Sequence, residues 1–353
     1  MSLSVALLIA AAGVAAIVDS YRIFSHVWDE PAHIATGLEL LDRGTYSYER
    51  QHPPLARIAV ALGPYLDGAR SHRVTSQFTI DEGLRILYRD GSPEGYQRTL
   101  TLARLGILPF FLVMLMAGWI WTRRLAGAWP ATLTVFFIAT VPPILGHAGL
   151  ATTDVAAAAL GLAGLVGASW WLEKPNWRRS SALGVAAGTA IMVKFSAIPF
   201  LGMGFLALAA WQAWIVFRTK QPKQHFSPIQ PVVAVFTLLV VCWAAYGFGF
   251  APLYDVEYTT RPGMIEAAPV TRFSSTMAKI RSPNFIPMIR DGIAEVKHHN
   301  AAGHKSFLLG EVRETGWWYY YPIVLAVKTP LPLLGLGLAG LVLMLATSLR
   351  RLD

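Results

Sequence analysis

Hydropathy constrains this chain more than any other feature. Its 353 residues are 54% hydrophobic and only 14% charged, where soluble domains carry about a quarter charged residues. The apolar residues gather in runs that approach or exceed the roughly 18 residues a helix needs to cross a bilayer. The runs are continuous and do not alternate, which predicts helices rather than a closed barrel. Eight spanning segments are expected, at about 3–20, 100–122, 128–146, 150–172, 181–198, 199–217, 231–249 and 322–348. The fold class is an all-α polytopic membrane protein.

The net charge of +9 does not call for a nucleic-acid partner, because of where the charge lies. Short basic connectors separate the apolar runs: Arg123 and Arg124; Lys174, Arg178 and Arg179; Arg218, Lys220 and Lys223; Arg350 and Arg351. That is the positive-inside pattern. It puts both termini in the cytoplasm and divides the chain into a first membrane helix (1–20), a first external loop (21–99), a membrane bundle (100–249), a second external loop (250–321), and a last span with cytoplasmic tail (322–353). The first loop is rich in arginine, but loops beyond roughly 60 residues translocate largely regardless of charge. The first apolar segment lacks the basic start of a signal peptide and reads as a membrane helix. Cys242, the single cysteine, excludes an intrachain disulfide and reads as small apolar filler.

Two short helices are expected in the first loop. One opens at Asp29 or Glu30 with Pro31 in its first turn, and Ile34, Leu38 and Leu41 recur on one face. The other opens at Pro53–Pro54 and carries Leu55, Ile58, Ala59 and Leu62 on one face, with Arg57 beside it. Both read as helices lying in the membrane interface with a polar side in water.

The stretch "DEPAHIATGLELLDRGTYSYERQHPPLARI" resembles the first external loop of the dolichyl-phosphate-mannose–protein mannosyltransferases and their bacterial relatives, glycosyltransferase family 39. In that loop an Asp-Glu pair follows the first membrane helix and His-Pro-Pro-Leu comes some twenty residues later; here these are Asp29–Glu30 and His52–Leu55. "MVKFSA", from Met192 to Ala197, resembles a second family stretch. "GHKSFLLGEVRETGWWYYYPIVLAVKTPLPLL", from Gly303 to Leu334, resembles the bacterial segment that leads from the second external loop into the membrane. Relatives commonly continue with further helices after the Lys-Thr-Pro-Leu-Pro segment.

The resemblance implies a GT-C bundle that passes a sugar from a polyprenyl-phosphate carrier to a hydroxyl acceptor, with inversion, at the external or periplasmic face of a bacterial inner membrane. Such chemistry needs a carboxylate to take the acceptor's proton and cationic or hydrogen-bonding groups for the departing phosphate. Asp29 is the candidate base, with Glu30 orienting or binding the acceptor; the bland alternative is an N-cap and a first-turn acid. His52, Arg57, Lys194 and His304 are candidates for the donor phosphate or sugar. Lys194 follows Arg179 by 15 residues, about 22 Å of helix, which puts it in the outer part of the membrane, where a charge is costly unless it is used or snorkels to the headgroups. Asp154 and Glu311 are candidates for a second acid or an acceptor contact, although Thr152, Thr153 and Asp154 equally suit a helix start. The aromatic run after Gly316 reads as an interfacial belt.

No cofactor is expected. His26, Asp29, Glu30 and His33 are close in sequence, so a divalent metal stays open, but they form no HExxH motif and the family is understood to work without a metal. The expected partners are the lipid-linked donor, a protein, lipid or glycan acceptor, and membrane lipid. Two rivals remain: a non-catalytic lipid-binding subunit, and a polyprenyl-lipid transporter, which would place paired charges near the midplane of broken, repeated helices.

Overall fold

The computed structural model describes residues 1–72, 79–219, 227–255, 272–303 and 305–350. The chain is helical and polytopic, as its hydropathy predicts. Helix α1 (Ser2–Ser20) is followed by four helices built from the first polar region: α2 (Glu30–Arg43), α3 (Pro54–Leu66), α4 (Thr79–Leu87) and α5 (Pro93–Leu105). Then come α6 (Leu108–Ala126), α7 (Ala128–Thr140), α8 (Pro142–Ala148), α9 (Asp154–Glu173), α10 (Trp177–Ile191), α11 (Ala197–Thr219) and α12 (Ile229–Ala245).

Among the described residues, four stretches are long and apolar enough to cross a membrane: α1, α5 with α6 as one run over Pro93–Ala126, α9 and α11. The pair α7 and α8, bent by 63°, makes a fifth. A sixth comes from α15 (Tyr320–Lys328) and α16 (Leu331–Arg350), bent by 116°. The two remaining predicted segments coincide with α10 and α12, which are shorter than expected at 15 and 17 residues. α11 buries only Ala197, and a helix apolar all round with no protein cover is suited to lipid.

The predicted 181–198 segment is broken, not continuous. α10 ends at Ile191, and the carbonyl of Met192, which a continuing helix would bond to Ser196, instead accepts from the Leu55 amide at 2.9 Å. Lys194 therefore sits in a turn between two helices. Two of the stretches that resemble the family are thus joined by one backbone bond: the first turn of α3, whose amides have no partner within their own helix, and the end of α10.

The first polar region departs further from expectation. α2 begins where predicted, with Asp29 at the cap position and Pro31 in the first turn, but every residue from Glu30 to Glu39 is buried. It is packed between α3 and α4, while α3 packs in turn on α5. A Cβ on Gly37 would lie 2.0 Å from the Arg57 carbonyl, and one on Gly83 the same distance from the Pro31 carbonyl. Glycine at these two points lets α3 and α4 close on α2. In α3 the expected apolar face points outward, with Leu62 45% exposed, whereas Ala56, Arg57, Val60 and Ala61 face inward. The one charged side chain, Arg57, is turned into protein and Leu62 is turned out, which suits a helix with lipid, rather than water, around it. Neither helix presents a polar side to solvent in the way an isolated interfacial helix would.

After α12, Gly247 and Phe248 take positive φ (71° and 57°) and end the helix. Strand β1 (Phe250–Pro252) pairs antiparallel with β2 (Arg281–Pro283), Phe250 opposite Pro283. Between them lies α13 (Arg272–Met277), and after them α14 (Phe285–Ala302). The hairpin β3 (Ser306–Leu308) and β4 (Glu311–Arg313) completes the second polar region.

Candidate active site

At the head of α2 the acidic pair separates into two environments. Asp29 is exposed and its side chain makes no cap hydrogen bond. Glu30 is fully buried. Its carboxylate accepts from Arg104 Nε and Nη2 (2.9 and 3.0 Å), and from the amides of Val27 (2.8 Å) and Ala151 (2.7 Å). Arg104 is equally buried, and its remaining donors reach the carbonyls of Phe24 and Ser25. A buried ion pair is tolerated when its remaining hydrogen-bonding capacity is satisfied, as here. The pair pins the turn carrying Asp29 to α5 and to the loop before α9.

One turn along α2, His33 faces α3. Its Nδ1 accepts from Arg57 Nε at 3.1 Å. Arg57 is wholly buried; it donates to the Glu49 carboxylate (2.6 Å), the Glu49 carbonyl (3.0 Å) and the Tyr46 hydroxyl (3.1 Å). Glu49 also holds His52 Nδ1 at 2.9 Å, and the rings of His33 and His52 meet edge to face, 5.2 Å apart. Burial alone would raise the Glu49 carboxyl, but Arg57, with His52 beside it, outweighs burial and holds it well below the usual carboxylate range. Burial, then the charges of Arg57 and His52, push His33 well below the usual imidazole range, and Lys194 adds to the same shift. His33 is therefore a neutral acceptor, and Lys194 lies within electrostatic reach of it.

The third group is at the head of α9. Asp154 Oδ1 accepts from Lys194 Nζ at 2.8 Å, and its other oxygen is 3.6 Å from His147 Nδ1. Lys194 lines a cavity of about 480 Å³ between α9 and α11, whose other walls include Ala157, Gly161, Leu165, Phe200 and Leu201. One charged group, with Ser196 beside it, thus stands at a cavity whose other walls are apolar.

Of the residues singled out from sequence, Asp154 and Lys194 meet directly, and so do Arg57 and His52, with Arg57 Nη2 3.3 Å from His52 Nδ1 and Glu49 shared between them. Glu311 lies on β4, exposed and paired with Arg313 at 2.9 Å; the structure does not bring it to this group. His304 lies outside the described residues. The sequence-close acids and histidines do not converge: Glu30 turns to Arg104, His33 to Arg57 and His26 to Tyr96. Among the described residues no three such side chains gather as metal ligands.

Sequence reasoning missed Arg104 and Glu49, and weighed His33 only as one member of a possible metal set. Arg104 had a signal, since it is an arginine inside a predicted span, where a charge is functional by default. Glu49 had a weaker one, three residues before His52.

A family model for the dolichyl-phosphate-mannose-protein mannosyltransferases matches residues 10–255. That range covers well over half of the chain and takes in α2, His52, Arg104, Asp154 and Lys194. The chain belongs to this family. It is a membrane glycosyltransferase of the mannosyltransferase kind, from a family that draws its sugar from polyprenyl-phosphate carriers. No curated protein and no solved structure gives a match. The mannosyltransferase match stops short of the Gly303–Leu334 stretch.

Proposed function

We propose that the protein moves a sugar from polyprenyl phosphate to an acceptor hydroxyl at the external face, with inversion. The observation that carries this reading is the Lys194 ammonium, held by Asp154 at the end of an apolar cavity. The cavity suits part of an isoprenoid chain, and Lys194 suits the phosphate at its head. In the reaction the acceptor oxygen attacks the anomeric carbon as its proton passes to Asp29. The bond from that carbon to the phosphate oxygen breaks, and polyprenyl phosphate leaves with the electron pair. Lys194 and His52 stabilise the growing charge. Glu30, saturated by Arg104 and two amides, is a positioning residue for Asp29, and Glu49 with Arg57 does the same for His52.

The placement of basic residues supports the external face. Arg124 pairs with Glu173 at the C-terminal end of α9, whereas Asp154 begins that helix. Twenty residues of helix separate these ends, about 30 Å at 1.5 Å per residue, or one bilayer core. With the basic connectors inside, Asp154 and Lys194 lie outside.

Donor binding tests the reading. Lys194→Gln should weaken polyprenyl-phosphate-mannose binding roughly 10- to 100-fold, the range for losing a hydrogen bond to a charged group. Lys194→Arg should be milder. An unchanged dissociation constant in a folded Lys194→Gln protein would mean that the lysine serves only the headgroup region.

A further inference from the structure

The hairpin of β3 and β4 turns one apolar face outward. Its register sets Phe307 opposite Val312, Ser306 opposite Arg313, and Leu308 opposite Glu311. Cross-strand partners share a face, and successive residues alternate between faces. Ser306, Leu308, Glu311 and Arg313 therefore lie on one side, where Leu308 is buried and Glu311 pairs with Arg313. Phe307 and Val312 lie on the other, 64% and 61% exposed. The turn that joins the strands is Leu309–Gly310, both at positive φ (50° and 92°). Such turns favour Asn-Gly or Asp-Gly, and leucine seldom adopts the left-handed region. Leu309 is 74% exposed, so packing within the chain does not offset that strain.

A two-stranded hairpin is marginal in water unless its apolar face is packed on something. This one adjoins the aromatic run from Trp317 to Tyr321. The Arg313 guanidinium lies 5.0 Å from the Trp317 ring centroid, and a Cβ on Gly316 would come within 3.6 Å of Ser306 Oγ. In that run Trp318 and Tyr321 are exposed, and aromatic side chains at the mouth of a span mark the headgroup level. The last apolar helix pair, α15 and α16, starts there at Tyr320. The charges nearby are matched. Lys305 pairs with Glu314 (3.8 Å) and Glu311 with Arg313 (2.9 Å), and the segment from Lys305 to Gly316 holds no others. A face with no net charge behind it suits lipid better than an ionic partner.

We propose that the hairpin lies flat on the bilayer surface beside the last apolar pair, with Phe307, Leu309 and Val312 sunk into the boundary between headgroups and acyl chains. Burial of Leu309 in lipid offsets the strained turn, and the matched charges make the contact indifferent to anionic headgroups. The anchor bears on the candidate active site. Three residues separate the hairpin from α14, whose Asp291 accepts from Arg50 Nη1 at 2.6 Å and whose Glu295 accepts from the Arg50 amide at 2.9 Å. Arg50 follows Glu49, which holds both His52 and Arg57. A hairpin fixed at the membrane thus steadies the 49–52 turn through α14.

Spin labels on the full chain in vesicles test this position directly. The labelled variants are Phe307→Cys, Leu309→Cys, Val312→Cys and, on the opposite face, Glu311→Cys; Cys242 is buried and stays unlabelled in the folded protein. Each label's accessibility to oxygen, which concentrates in lipid, is compared with its accessibility to a water-soluble nickel chelate. In phosphatidylcholine vesicles the oxygen-to-nickel ratio should be several-fold higher at Phe307, Leu309 and Val312 than at Glu311. Adding phosphatidylglycerol should leave it unchanged. Ratios at the three positions as low as at Glu311 overturn the proposal, because the face would then stand in water. Shielding of the three from both probes overturns it too, since a second copy or another part of the chain would cover them. So does a high ratio that appears only with phosphatidylglycerol. Leu309→Asn tests the strain separately: asparagine suits the turn, so in detergent this variant should melt no lower than the wild type. A clear drop would show that Leu309 packs on protein, against the proposal.

Discussion

His33 shows how a single residue reports on its surroundings. It lies on α2 against Arg57, His52, Glu49 and, further off, Lys194, and the net effect of burial and neighbouring charge is to lower its pKa. The unfolded chain then takes up a proton near pH 6.5 that the folded chain refuses. The stability due to neutral His33 is complete above that pH and is lost as the pH falls toward the folded value. The wild-type protein should lose stability on acidification below about pH 6.5, with a contribution from this site of at most about 1.4 kcal/mol per pH unit. His33→Gln, which keeps an acceptor for Arg57 and cannot protonate, should flatten that part of the curve. Thermal melts of both proteins between pH 7 and 5 check this; parallel curves would mean that His33 titrates freely in the fold.

At the scale of elements, α2 is held at its head by one ion pair. Glu30 and Arg104 are both without solvent exposure, and removing one partner of such a pair strands the other charge, costing about 3–5 kcal/mol. Glu30→Gln and Arg104→Gln should each lower stability by that order, and the double variant should recover a large part of the loss. Losses that simply add would show that the two groups do not interact. The start of α2 was legible because Asp29, Glu30 and Pro31 are a local signal. Its surroundings were not, since Arg104 is 74 positions away and Ala151 is 121. The polar side of α3 was misread for a related reason: periodicity sets Arg57 beside the apolar stripe but does not say that protein, rather than water, covers it.

For the whole molecule, continuous apolar runs announced the helical membrane architecture; of the eight expected spans, four pass as single runs and two as bent helix pairs among the described residues, while the other two fall on the shorter helices α10 and α12. The breaks within them were less visible. The end of α10 before Lys194 is set by a bond from Leu55, a partner supplied by tertiary structure. The two quoted stretches inside the family match, Asp29–Ile58 and Met192–Ala197, pointed to the family, and the structure adds how Glu30, Glu49 and Arg57 hold what lies between them. It also separates Asp29 from Glu30: the first is exposed, the second spent on its own scaffold.

Sugar transfer by Asp29→Asn tests the central claim most directly. Asparagine keeps the size of aspartate and caps a helix about as well, but it cannot accept the acceptor's proton. In proteoliposomes supplied with radiolabelled polyprenyl-phosphate-mannose and a cell-envelope extract as acceptor, turnover should fall roughly 10²-fold or more while the melting temperature stays close to wild type. Near-normal transfer by Asp29→Asn would contradict the account, for it would leave Asp29 as nothing more than the first residue of a helix.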